Sequence, residues 1–212
     1  MKVGVLALQG DFPETLAALG RVLPDEDVIP VRAPQELGQV QALFLPGGES
    51  TTIARLLVQA GLWNHISDRI RTGLPVLATC AGLILLAREL VPSVAGLDPP
   101  TMGALDAQVR RNDYGSQRES FEAPLRVEGL EGGSFPGVFI RSPRILSFGP
   151  DVTPIAWHGT EVVGIRSGAI WGLTFHPELS GDPRLHQLFL RATHPVAPAP
   201  THGTKRTRRS RR

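Results

Sequence analysis

Cys80 is the single cysteine of the chain, set in Pro75-Val76-Leu77-Ala78-Thr79-Cys80-Ala81-Gly82-Leu83-Ile84. An apolar, strand-like run ends at the thiol, small residues flank it, and a helix-like run from Leu83 to Leu90 follows. This is the pattern of a strand–turn–helix elbow that lifts a nucleophile above a sheet, where a sharp turn tolerates only small neighbours. A helix beginning just past the sulfur favours the thiolate through its positive end. The bland alternative is a buried, inert thiol. Near the other end, Ile170-Trp171-Gly172-Leu173-Thr174-Phe175 reads as a strand, followed at once by His176-Pro177-Glu178. A thiol nucleophile needs a base, and the base needs a group that holds its tautomer. His176 and Glu178 can supply both, and Pro177 stops the strand. A third segment, Leu45-Pro46-Gly47-Gly48-Glu49-Ser50-Thr51-Thr52, places paired glycines where a strand gives way to a helix. Exposed backbone N–H groups in such a turn can hold an oxyanion or a carboxylate. The segment also reads as a plain turn with Ser50 or Thr51 capping the helix. It is not a phosphate loop, because no Gly-Lys-Ser/Thr follows.

The elements that must carry these residues alternate. Lys2–Leu8 reads as a first strand, and Pro13–Leu23 as a helix with Leu16, Leu19 and Leu23 at helical spacing and Pro13 in its first turn. Val28–Val31 and Ala42–Leu45 are further strands, Thr51–Ala60 and Leu62–Thr72 helices separated by Gly61, and Val76–Thr79 the strand of the elbow. Apolar runs separated by helices predict an α/β fold with a mostly parallel sheet covered on both faces. After about Gly103 shorter strand-like pieces dominate: Phe121–Val127, Gly137–Ile140, Pro154–Trp157, Val162–Arg166 and Ile170–Phe175. Pro183–Arg191 reads as a closing helix.

At 212 residues and 42% hydrophobic content the chain can bury a sizeable core in one domain. One cysteine excludes an internal disulfide and a Cys-pair zinc site, no metal cluster is visible, and a reducing, cytoplasmic setting is expected. No run of about 18 apolar residues exists to span a membrane, and the opening residues lack the length and cleavage region of a signal peptide. The formal charge of +2 is uneven. Lys205, Arg206, Arg208, Arg209, Arg211 and Arg212 stand without an acid, leaving 16 basic against 20 acidic side chains in residues 1–204. Residues 1–193 are therefore read as the catalytic domain and 194–212 as a proline-rich linker with a disordered basic tail. Such a tail can contact nucleic acid nonspecifically by charge alone, although a solvated appendage is the simpler reading.

Taken together, the Leu45–Ser50, Thr79–Gly82 and His176–Glu178 motifs resemble the triad-type glutamine amidotransferases in order and spacing. Ala7-Leu8-Gln9-Gly10, Arg111-Asn112-Asp113-Tyr114-Gly115, Gln117, Ser120-Phe121-Glu122 and Val138-Phe139-Ile140-Arg141-Ser142-Pro143 narrow the resemblance to the glutaminase subunit of pyridoxal 5′-phosphate synthase, over residues 2 to about 193. The resemblance implies a three-layer sandwich of the flavodoxin-like class I glutamine amidotransferase type, hydrolysis of L-glutamine to glutamate and ammonia, and partnership with a synthase subunit. It implies no cofactor and no metal. It makes Cys80 the nucleophile, His176 the base and later the acid, and Glu178 its orienter. Backbone N–H groups of Gly48 and Ala81 become the oxyanion hole, and Gly47, Gly48, Glu49, Arg111, Ile140 and Arg141 the glutamine site. A zwitterionic amino acid needs a cation for its carboxylate and an acceptor for its ammonium; without the pattern, Arg111 beside Arg110 reads as a surface pair. Three positions depart from it: Ala78 replaces a glycine, Ser116 an arginine, and Pro13-Glu14 an acid–histidine pair. A glutaminase of another pathway, such as histidine synthesis, and a catalytically silent binding module on the same fold are the alternatives. A thiol stress protein or peptidase on a similar scaffold is disfavoured by the Arg111 and Ile140-Arg141 matches. Of the remaining histidines, His158 marks a hairpin turn before Gly159, and His65 and His186 fall on helices as solvated or packing residues. His194 and His202 lie in the linker and tail.

Overall fold

The computed structural model describes residues 1–92, 98–111 and 120–194. The tail from 195 and the segment holding Asn112, Asp113, Tyr114, Gly115, Ser116 and Gln117 lie outside them. In chain order the first half runs β1 (Val3–Leu6), α1 (Phe12–Gly20), β2 (Val28–Val31), α2 (Pro34–Leu37), β3 (Ala42–Leu45), α3 (Ser50–Gln59), α4 (Leu62–Arg71), β4 (Val76–Thr79) and α5 (Ala81–Leu86). The second half runs β5 (Ala87–Leu90), β6 (Leu105–Arg110), β7 (Phe121–Val127), β8 (Phe135–Phe139), β9 (Arg144–Phe148), β10 (Thr153–His158), β11 (Glu161–Ser167), β12 (Ile170–Leu173) and α6 (Arg184–Thr193). A single turn of 3₁₀ helix at Pro177–Leu179 joins β12 to α6.

Nine strands form one sheet in the order β2-β1-β3-β4-β12-β11-β10-β7-β8, and β5-β6-β9 form a second, small sheet. The first five strands of the large sheet are parallel, in the doubly wound order. The four pairings beyond β12 are antiparallel. The expected mostly parallel sheet is therefore corrected to one divided equally between the two kinds of pairing. The cause lies in the connections: β7 to β8 and β10 to β11 are joined by loops too short for a crossover, and only antiparallel partners can be linked that way. Turn residues Gly159 and Thr160 close the β10–β11 hairpin, and His158 ends its first strand as expected.

Both faces of the sheet are covered, because successive side chains of a strand point to opposite sides. Val3, Val5, Phe44 and Leu77 pack with Leu19 of α1 and with Leu185, Phe189 and Leu190 of α6. Leu6, Leu43, Leu45, Val76 and Ala78 pack on the other face with Ile53 and Leu57 of α3, Ile66 and Ile70 of α4, and α5. The methyl of Ala78 is absorbed in this second core. The helix-like run expected over Leu83–Leu90 stops at Leu86, and Ala87–Leu90 becomes β5 instead, paired with β6. A short apolar run buried on all sides carries no period that separates the two.

His65 is exposed on α4, whereas His186 on α6 is 1% exposed and stacked on Phe44 at 5.8 Å between ring centroids. Burial pushes its pKa down to about 4, and the nearby Arg21 charge adds to the effect. The unfolded value is near 6.5, so this neutral imidazole favours the folded state above that pH, and the contribution is lost as the pH falls from 6.5 towards 4. The loss amounts to roughly 3 kcal/mol. Thermal melts followed by circular dichroism between pH 7.5 and 4 should show His186→Phe losing less stability on acidification than the parent chain; parallel curves would refute this.

Candidate functional site

Four loops converge where parallel strands end. They follow β1 (Gln9–Asp11), β3 (Gly47–Glu49), β4 (Cys80) and β12 (His176), the carboxyl-end crevice where open α/β sheets bind ligands. The decisive register is β4 against β12, which pairs Val76 with Ile170 and Thr79 with Leu173. Residues 96 positions apart, Cys80 and His176, are thereby delivered to one cavity of about 360 Å³, a volume suited to a small ligand. Its wall is made by Gln9, Gly10, Asp11, Gly48, Glu49, Ser50, Cys80, Ile84, Arg111, Ile140, Arg141 and His176. Of the residues singled out from sequence, Gly47, Ala81 and Glu178 stand behind this wall.

Cys80 occupies the elbow expected of it. Its φ of 47° and ψ of −102° lie outside the regions open to ordinary L-residues, and the backbone is held there from both sides. Its N–H donates to Leu173 O at 2.9 Å, and its carbonyl accepts from Ile84 N as α5 begins. A Cβ at Gly82 would fall 2.2 Å from Leu45 O, so only glycine lets α5 start this close to β3. Ala81 is the first residue of α5 and is buried.

His176 is held by its backbone N–H, which donates to Val138 O at 2.8 Å, and by the turn at Pro177. Its Nδ1 donates to Glu178 Oε1 at 2.8 Å, with both side chains almost fully buried. Its Nε2 is buried and has no hydrogen-bond partner among the described residues. Desolvation opposes a charge on this ring. It is outweighed by Asp11, Cys80 and Glu178, which together raise the imidazole well above the ordinary histidine range. Asp11 does not stand out in the sequence, yet its Oδ2 lies 3.3 Å from Nδ1. The signal is present but weak, since an acid after Gln9-Gly10 just before a helix has the ordinary use of a cap. Asp11, His176 and Glu178 also bring three donors of metal-ligand type within 4.8 Å of one another. Because Nδ1 is committed to Glu178 at hydrogen-bond distance, the group has the geometry of a charge-paired imidazole rather than a coordination shell.

The loop after β3 is locked to the loop after β1. Asp11 N–H donates to Gly47 O, and a Cβ at Gly10 would sit 1.9 Å from that same oxygen. Gly48, with φ of 146°, faces Gly10 Cα and Gln9 Oε1 at distances a side chain would not tolerate. Gln9 Oε1 accepts from Glu49 N at 2.9 Å. The cap of α3 is Glu49, not Ser50 or Thr51: its carboxylate accepts from Thr51 N and Thr52 N. Partial burial pushes this carboxyl up, and the Thr52 and Thr51 hydrogen bonds and the Arg111 charge bring it below the usual range. Arg111 Nη2 lies 3.3 Å from Glu49 Oε1, and its Nη1 3.4 Å from Asp98 Oδ1. Cation and anion thus sit side by side on the wall. Arg141, with φ of 46°, and Ile140 reach the cavity just past the end of β8.

Curated proteins and solved structures place this arrangement in context. A relative from Streptomyces griseus, described as pyridoxal 5′-phosphate synthase subunit PdxT, is 47% identical over 188 residues, covering 89% of this chain and 93% of its own length. One of the same description from Thermococcus onnurineus is 46% identical over 196 residues, covering 90% and 98%. A crystal structure of a glutamine amidotransferase superposes with a TM-score of 0.82 at 44% identity, covering 91% of this chain and 99% of that one. The structure of PurLQS from Thermotoga maritima, matched over 90% of this chain and 98% of that one, reaches 0.59 at 16% identity and shares the fold. The profile of the SNO glutamine amidotransferase family matches residues 5–194, and with relatives of this similarity the chain belongs to that family.

Proposed function

We propose that this chain is the glutaminase subunit of a pyridoxal 5′-phosphate synthase, hydrolysing L-glutamine to L-glutamate and ammonia and passing the ammonia to a separate synthase subunit. The observation that carries the reading is the meeting of Cys80, His176 and Glu178 at one cavity, in a chain 46–47% identical to PdxT subunits. In this reading Arg111 takes the glutamine carboxylate and Glu49 its ammonium. Gly47, Gly48, Ile140 and Arg141 complete the substrate site. The Cys80 sulfur attacks the side-chain amide carbon, and the N–H groups of Gly48 and Ala81 receive the negative oxygen. Each such donor is worth about 10²–10³ in rate. His176, held by Glu178, takes the thiol proton as the sulfur attacks and gives it to the departing nitrogen, releasing ammonia and leaving a thioester. It then takes a proton from the water that cleaves the thioester, so glutamate leaves and the thiol is restored.

Residues 1–193 would act as one amidotransferase domain, with 194–212 a linker and basic tail in which nonspecific contact with nucleic acid is the most that charge supports. Among the described residues no helix is long and apolar enough to cross a membrane; a cytoplasmic setting is part of the proposal. The sharing of Arg111 and Glu49 on one wall favours an amino-acid substrate over the peptides or small thiol-reactive molecules of stress proteins. The relatives favour pyridoxal phosphate over histidine synthesis.

Glutamate release should be measured for the chain alone and with a pyridoxal 5′-phosphate synthase subunit. Cys80→Ala should reduce it at least about 10³-fold, and His176→Asn likewise, while calorimetry still detects glutamine binding to the latter. Turnover that survives Cys80→Ala, or no turnover with any synthase subunit, would overturn the proposal. Gly47→Ala places a methyl 2.3 Å from His176 Cε1. It should lower kcat by roughly 10²-fold, the cost of moving a catalytic group by about an ångström; an unchanged kcat would show that the ring position is not critical.

A further inference from the structure

We infer that Asp11 is a positioning residue for His176, a second carboxylate that places negative charge beside the imidazole while Glu178 takes its hydrogen bond. The inference rests on the glutaminase reading for its catalytic meaning, but the geometry belongs to the site alone.

Three observations carry it. Asp11 occupies the N-cap of α1, where an aspartate side chain ordinarily accepts a hydrogen bond from the helix's first turn. Here it makes no such bond. The carboxylate is turned instead to the cavity, with Oδ2 3.3 Å from His176 Nδ1. The approach is possible only because residue 47 lacks a side chain: a Cβ there would fall 2.6 Å from Asp11 Oδ2 and 2.3 Å from His176 Cε1. The helix is steadied by other means, since Asp11 O accepts from both the N–H and the hydroxyl of Thr15.

The division of labour between the two acids follows from distance and burial. Glu178, at 2.8 Å and 1% exposed, receives the Nδ1 proton and fixes the ring's orientation. Asp11, at 3.3 Å and 34% exposed, contributes charge rather than direction. An imidazolium is needed twice in the proposed reaction, beside the thiolate before attack and again when ammonia is protonated. A buried ring would otherwise resist that charge. Three charged or titratable groups face the ring from three elements: Cys80 from the elbow after β4, Glu178 from the 3₁₀ turn, and Asp11 from the start of α1. Glu49, Arg111 and Arg141 share the cavity with it.

Asp11→Asn removes the charge at nearly constant shape and is the informative variant; Asp11→Glu keeps the charge. The direct readout is the pH titration of the His176 ring by NMR on the full chain, which needs no turnover. Removing a neighbouring anion destabilises the imidazolium, so the midpoint should fall, by about half to one pH unit given the partial exposure of Asp11. In the complex with a synthase subunit, the basic limb of kcat/KM for glutamine should move down by the same amount, with Asp11→Glu restoring most of it. A uniform drop in kcat with an unmoved limb and an unmoved ring titration would reduce Asp11 to a structural residue and overturn the inference. If the parent chain released no glutamate with its partner while the ring titration still fell in Asp11→Asn, the glutaminase reading would fail and the charge role of Asp11 would stand.

Discussion

The parallel ladder between β4 and β12 is the constraint on which the rest of the structure depends. Its register sets Thr79 beside Leu173, and the Cys80 N–H is itself tied to the Leu173 carbonyl. A slip of one residue would turn the buried side chains of β12 to the opposite face. It would also carry His176 away from the sulfur. Core packing enforces the register from both sides of the sheet, because Leu77, Trp171 and Leu173 belong to one apolar cluster and Val76 and Ala78 to the other. The geometry of the site thus depends on ordinary hydrophobic burial some distance from Cys80 and His176.

Around that ladder, the site is shaped as much by missing side chains as by those present. Gly10, Gly47 and Gly48 let two loops touch backbone to backbone, and each removed Cβ makes room for a polar group: a carbonyl at Gly10, an imidazole and a carboxylate at Gly47, an amide oxygen at Gly48. The charges are paired across this frame. Glu49 serves both as the cap of α3 and as the neighbour of Arg111, so the helix end and the anion of the cavity wall are one feature. Residues 10 and 47 cannot shift independently, since the carbonyl of one loop occupies the volume left by the other.

Much of this is legible in the letters. Apolar runs bounded by turn residues locate β2, β3 and β4 to the residue and overrun β1, read as Lys2–Leu8, at both ends, and the small residues around Cys80 and the proline after His176 mark the two halves of the site. The pairing direction of the later strands is not legible, because alternation reports a strand's faces and not its partner. Residues 87–90 read as helix because Leu83–Leu86 are buried all round and leave no period to break at Ala87. Glu49 reads only as a possible ligand, although glutamate can cap a helix one residue before the serine or threonine that usually does so. Asp11 escapes notice because an aspartate at a helix start already has a sufficient local explanation; only its absent capping bond in three dimensions discloses a different use.

The placement of β12 has one more consequence. Among the described residues it is the last strand in chain order, yet it lies in the middle of the large sheet, with β4 on one side and β11 on the other. During synthesis the earlier strands emerge while this central slot is still empty, and His176 arrives only with the residues that fill it. A polypeptide that stops short of β12 therefore exposes bare strand edges at β4 and β11 and carries Cys80 without His176 beside it, so the closing of the sheet and the assembly of the site are a single event.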